Sequence, residues 1–121
     1  TGNFNVAVGA LQFLDTQIAL VTEAAVSAGG AVLITCDHGN AEEMVNLQTG
    51  EATTDHTANP VPITYITREN QQEPAKDEAT LFEILGSPLG VLADVGPTML
   101  EILGLEQPPQ MTAKSLLQSL L

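Results

Sequence analysis

An aspartate and a histidine stand side by side at the end of an apolar run, in Ile34-Thr35-Cys36-Asp37-His38-Gly39-Asn40, and the only other histidine is His56. A hard carboxylate beside a neutral imidazole suits a divalent cation, so Asp37 and His38 are candidate metal ligands. Neighbouring side chains in an extended strand point to opposite faces; a shared ion requires the chain to turn here, and Gly39 permits the turn. The ordinary alternative stays open: Asp37 caps a turn, His38 lies on the surface and Asn40 makes an Asx-turn. His56 lies in a long loop beginning beyond the same strand, so it can reach back to the strand end; otherwise it is a solvated loop histidine. Asp55 is a weaker candidate in so acidic a chain. Cys36 reads as a small core residue or, less directly, a soft ligand. Thr35 and Thr54 carry hydroxyls, but a nucleophile needs a base or metal at hydrogen-bond range and the spacing singles out neither. The sequence holds no glycine-rich phosphate loop, no G-x-S-x-G elbow and no paired cysteines.

The elements that must position these residues follow from periodicity. Phe4, Val8, Leu11, Leu14, Ile18, Val21 and Ala25 recur in steps of three and four, which predicts a helix with one buried stripe. Gly29-Gly30 closes it. Ala31 to Cys36 is short, apolar and β-branched, which predicts a central parallel strand covered on both faces. Helix, glycine turn and buried strand make half of a doubly wound α/β unit, whose sites collect at the carboxyl ends of strands, where Asp37 stands. Ala41-Glu42-Glu43-Met44 could add a helical turn. The polar stretch from Asn46 to Asn59 reads as a functional loop. Pro60 to Thr67 reads as a strand with Pro62 at an edge or before pairing begins, and Arg68 to Glu78 as a surface loop. Ala79 to Leu85 is apolar but unassigned. Leu92 to Gly104 predicts a second helix, with Asp94 near its positive end and Pro97 in its first turn. Pro108-Pro109 precede a weakly apolar tail.

The 121 residues, 44% hydrophobic, form one domain or part of one, with apolar content enough for a core. Fifteen Asp and Glu against 3 Lys and Arg give a formal charge of -12, which argues against nucleic acid and anionic membrane surfaces as partners. A phosphorylated substrate would need its positive field from metal ions or from basic residues elsewhere. The single Cys36 and the lack of a secretory leader fit a reducing cytoplasm. No continuous apolar run approaches the roughly 20 residues that span a bilayer, so a membrane protein is not expected. The chain opens at Thr1 without Met and moves straight into a helical pattern, as a piece of a longer protein would.

Thr35-Cys36-Asp37-His38-Gly39-Asn40-Ala41-Glu42, His56-Thr57-Ala58-Asn59-Pro60-Val61-Pro62, Leu92-Ala93-Asp94-Val95-Gly96-Pro97-Thr98-Met99-Leu100 and Met111-Thr112-Ala113-Lys114-Ser115-Leu116 resemble, in order, the C-terminal part of cofactor-independent phosphoglycerate mutase. Thr1-Gly2-Asn3-Phe4 is similar to the start of that family's helix after a metal-binding segment. The Asp-x-x-Pro-Thr helix is shared across the alkaline phosphatase superfamily. The resemblance implies part of a three-layer doubly wound α/β sheet of the alkaline phosphatase type, incomplete in this chain, with residues 1–121 forming the C-terminal part of the metal-binding domain.

It also implies an isomerase of glycolysis and gluconeogenesis that interconverts 3-phosphoglycerate and 2-phosphoglycerate through a phosphoserine. Two divalent metals serve it, usually Mn2+, with Zn2+, Co2+ or Mg2+ as alternatives. Asp37 and His38 match the ligands of one metal, which activates the serine, and His56 matches a ligand of the other, which holds the substrate. Cys36 stands where the family usually has alanine, and Ala113 where it often has glycine. The family's Asp-x-x-x-His ligand pair, nucleophilic serine, companion aspartate and phosphate-gripping basic residues lie upstream of the matched segment. This chain alone is therefore expected to be inactive, to bind Mn2+ weakly at best, and to self-associate through exposed edges and apolar faces. The alternatives are another two-metal phosphatase or sulfatase-like hydrolase of the superfamily, or a non-catalytic interaction module of the same fold.

Overall fold

A computed structural model describes residues 2–72 and 76–121. Helix α1 spans Phe4–Ser27, opened by Asn3, whose side chain accepts from the Val6 N–H. It ends at Ala28, and Gly29 takes the left-handed φ of 82° that lets the chain reverse into the first strand. Strand β1 is Val32–Thr35 and β2 is Ile63–Ile66. Two short 3-10 turns, Asn70–Gln72 and Leu92–Asp94, flank helix α2, Glu78–Leu85; helices α3, Val95–Ile102, and α4, Leu117–Leu120, complete the order.

The unassigned segment from Ala79 is thus helical, capped by Asp77, which accepts from the Thr80 N–H at 2.8 Å. Sequence alone missed it because the cap lies inside a run that reads as polar loop. Of that expected loop, residues 73–75 lie outside the described residues. Asn70 anchors the described part, accepting from the Thr67 N–H and donating to the Tyr65 carbonyl. Of Ala41-Glu42-Glu43-Met44, Ala41 and Glu42 form a tight turn closed by the Glu43 N–H on the Asn40 carbonyl, not a helical one.

Two expectations of the doubly wound reading are corrected. β1 pairs antiparallel with β2, Val32 opposite Ile66 through Thr35 opposite Ile63, in a two-stranded sheet. A continuous apolar run says that a strand is covered, not which direction its neighbour runs. The helix stripe is not buried either: Phe4, Leu11, Leu14 and Val21 are exposed, and α1 turns Thr22 and Val26 inward instead. Val26 is the one buried large aliphatic residue among those described. Apolar content sufficient for a core does not build one when the opposing layer is absent, and for the same reason Cys36 is exposed and not a core residue.

The length argument against a membrane span also needs revision. α1 has 24 residues and holds an 18-residue stretch of mean hydropathy 1.4, so it is long and apolar enough to cross a membrane by length and composition. Its apolar residues are spread among polar ones, so no single run reveals it. Asp15 sits near its midpoint, where a carboxylate in a bilayer costs about 2.5–3.5 kcal/mol. That fits a helix that covers a protein layer better than one that crosses lipid.

Candidate metal centre

β1 delivers Asp37 and His38 just past its last paired residue. Gly39 then forms an isolated bridge with Thr57, which draws the loop carrying His56 back against the turn. The Thr57 N–H donates to the Gly39 carbonyl at 2.9 Å. Gly39 is buried, and its φ is not positive; it is glycine for space, because a Cβ would collide with the Glu42 carboxylate and the Thr57 hydroxyl. The role expected for it, a conformational hinge, is therefore replaced by close approach.

His38 meets each of the other two candidate ligands, His56 through its ring and Asp37 through Nε2. His38 and His56 stack with ring centroids 3.6 Å apart and planes 16° off parallel. His38 Nε2 lies 3.6 Å from Asp37 Oδ1. His38 Nδ1 contacts the Gly39 carbonyl at 3.1 Å; because a carbonyl only accepts, Nδ1 donates in this contact, and in a neutral imidazole Nε2 is then the atom with the lone pair. Nε2 and the Asp37 carboxylate are then two potential ligand atoms 3.6 Å apart. Ligands each about 2.1 Å from one ion can be no more than about 4.2 Å apart, so this pair fits a divalent cation. Among the described residues no group of three or more His, Cys, Asp and Glu side chains closes around such a point. The donor set is therefore compatible with a metal but partial. Asp37 and His38 also edge an open, largely apolar cleft of about 340 Å³ between the strand ends and the 88–95 segment.

Sequence reasoning missed the residues that hold this arrangement. Glu42 accepts from the Asn40 N–H at 2.7 Å, from the Thr57 hydroxyl and from the Asn59 side chain at 3.2 Å. These donors, the Thr57 hydroxyl foremost, hold the Glu42 carboxyl at about 2. Asn40 donates to the carbonyls of Thr54 and Asp55, immediately before His56. The only signal in the sequence was a cluster of polar residues without helical or strand period. Asp55 contributes that carbonyl. Thr35 donates to the Pro62 carbonyl at 3.0 Å, tying β1 to the segment before β2.

A second polar knot closes the other side of the cleft. Asp94 accepts from the N–H groups of Val91 and Lys114, both at 2.9 Å, which hold its carboxyl below the usual range. Thr98, fully buried, donates to the Asp94 carbonyl and accepts from the Leu116 N–H. Asp94 thus acts less as a partner for the helix dipole than as a clasp for the C-terminal tail.

The fold thus places carboxylate and imidazole donors just past the end of a strand in a two-stranded sheet. The chain belongs to the Metalloenzyme superfamily, whose model matches residues 1–107. The chain is 44% identical over 117 residues to a 2,3-bisphosphoglycerate-independent phosphoglycerate mutase of Thiobacillus denitrificans, covering 97% of this chain and 20% of that protein. It is 47% identical over 118 residues to the Synechococcus sp. protein of the same name, covering 98% of this chain and 21% of that one. For the Pseudomonas aeruginosa mutase the figures are 45% over 116 residues, 96% and 20%. The chain spans about a fifth of the length of these curated relatives.

Proposed function

We propose that this chain supplies one side of the metal centre of a phosphoglycerate mutase, an isomerase that interconverts 3-phosphoglycerate and 2-phosphoglycerate by way of a phosphoserine. The observation that carries this is the identity of 44% to relatives so named across 97% of the chain. Asp37 and His38 would bind one divalent ion and His56 would help bind a second, most simply Mn2+. Bound there, such ions supply a Lewis acid for the serine hydroxyl and a clamp for the phosphate.

The chain's own residues orient that chemistry. The Gly39 carbonyl, which can only accept, lies 3.1 Å from His38 Nδ1, and Nε2 lies 3.6 Å from the Asp37 carboxylate. The bridge from Gly39 to Thr57 brings His56 onto the His38 ring. Serine nucleophile and basic phosphate-binding groups belong, in this reading, to the part of the relatives that the chain does not span. That accounts for a formal charge of -12 in a protein acting on an anion. In this reading a small phosphorylated substrate is the partner, neither nucleic acid nor a membrane is, and the cytoplasm is the compartment.

A coupled assay for 2-phosphoglycerate tests this. The purified 121-residue chain should show no turnover with Mn2+. A full-length protein containing it should turn over and lose activity on His38→Ala or His56→Ala. Turnover by the chain alone, or unimpaired turnover by both variants, would contradict the reading.

A further inference from the structure

The Glu42 carboxylate draws all its recorded partners from neutral donors, and they come from both sides of the site. The Asn40 N–H belongs to the turn that carries His38; the Thr57 hydroxyl and Asn59 amide belong to the segment just after His56. We propose that Glu42 is a positioning residue: by joining these two segments it sets the stacking of His56 on His38, so that the imidazole pair is formed before any metal arrives.

The geometry makes the dependence specific. One carbonyl, that of Gly39, accepts both from the Thr57 N–H at 2.9 Å and from His38 Nδ1 at 3.1 Å. Holding Thr57 therefore holds the orientation of the His38 ring and the place of its neighbour His56 together. Glu42 holds the Thr57 hydroxyl, and buried Gly39 leaves no room for a side chain against either group. Every group facing the carboxylate is a donor, whereas a glutamine of the same shape would turn an NH2 toward one of them. Charge is not the requirement, since the recorded partners of Glu42 are a backbone N–H, a hydroxyl and an amide and none is a cation; acceptor capacity is. Asn40 supports the same loop through the Thr54 and Asp55 carbonyls, but those contacts lie before His56 and leave Thr57 unbraced.

The consequence for metal capture rests on the ligand reading above, whereas the stacking can be measured without metal. Proton NMR of the metal-free chain would follow cross-ring contacts and ring-current shifts of His38 and His56 in wild type, Glu42→Gln, Thr57→Val and Thr57→Ser, with circular dichroism as the folding control. Wild type and Thr57→Ser should keep the cross-ring contact; Glu42→Gln and Thr57→Val should lose it with helix content unchanged. Mn2+ affinity should fall in those two by about 10- to 100-fold, the usual cost of losing a group that orients a ligand. Retention of the contact in Glu42→Gln, or its absence in wild type, overturns the proposal. If Glu42→Gln fails to fold, the Thr57 pair decides alone, and retention in Thr57→Val overturns it. Loss of stacking in the variants with no Mn2+ binding in wild type would uphold the positioning role and reject the metal reading.

Discussion

His56 lies flat against His38, 3.6 Å between ring centroids, although the two residues reach that place from opposite ends of a long loop. Such a pair is worth about 0.5–1.5 kcal/mol when both rings are neutral. His56→Ala should therefore lower the stability of the chain by about that amount in urea unfolding. His56→Phe should restore most of it, because it keeps a ring, while removing a nitrogen donor. Equal stability of wild type and His56→Ala would show that the stack contributes nothing to the fold.

Thr98 makes the sharpest claim on packing. Its hydroxyl is fully buried, donates to the Asp94 carbonyl at 2.7 Å and accepts from the Leu116 N–H at 2.9 Å. Thr98→Val keeps the shape but leaves that N–H without its partner, a cost of about 1–3 kcal/mol. Faster hydrogen exchange at the Leu116 amide is expected in Thr98→Val and near-normal exchange in Thr98→Ser. Unchanged exchange in both would mean the tail is held by other contacts.

Acid should open both polar knots, and the sign follows from lowered carboxyl values. A carboxyl titrating lower in the folded chain than in the unfolded one stabilises the fold above its unfolded value and ceases to do so as pH falls through its folded value. For Glu42 that window runs from 4.5 down to about 2. For Asp94 it begins near 3.8 and extends lower. Amide shifts of Asn40 and Lys114, followed by NMR, should hold constant from neutral pH to about 5 and then move within these windows. Movement of either amide above pH about 5 would contradict the assignment.

Phe4, Leu11, Leu14, Leu20 and Val21 of α1 and the free edge of β1 have no cover among the described residues. The chain should self-associate in light scattering, and Leu11→Glu with Val21→Glu should reduce its apparent mass. A monodisperse wild-type monomer would contradict this.

The legible part of this molecule was its local part. Steps of three and four placed α1 to within a turn, Gly29 marked its end, and Pro62 marked where β2 could begin pairing. Asp37, His38 and His56 could be singled out because few residue types bind metals, and the loop length allowed them to meet. What a strand pairs with, and whether a stripe is covered, depend on distant segments, so the direction of β2 and the exposure of Leu11 could not be read locally. The Glu42 brace was hidden for a related reason: its partners lie 15 and 17 positions away, and polar side chains in a turn have no period to betray them.

Because Mn2+ line broadening is sensitive to weak binding, it tests the central claim most directly. Substoichiometric Mn2+ is added to the isotopically labelled chain, and the signals of the His38 and His56 rings and the Asp37 amide are compared with those near the remaining acidic side chains. With 15 Asp and Glu in the chain, nonspecific attraction would broaden acidic regions evenly. Broadening that begins at Asp37, His38 and His56 and is abolished there by His38→Ala is the expected result. Even broadening across the acidic surface, with the two histidines no more affected than the rest, would contradict the assignment of these residues as metal ligands.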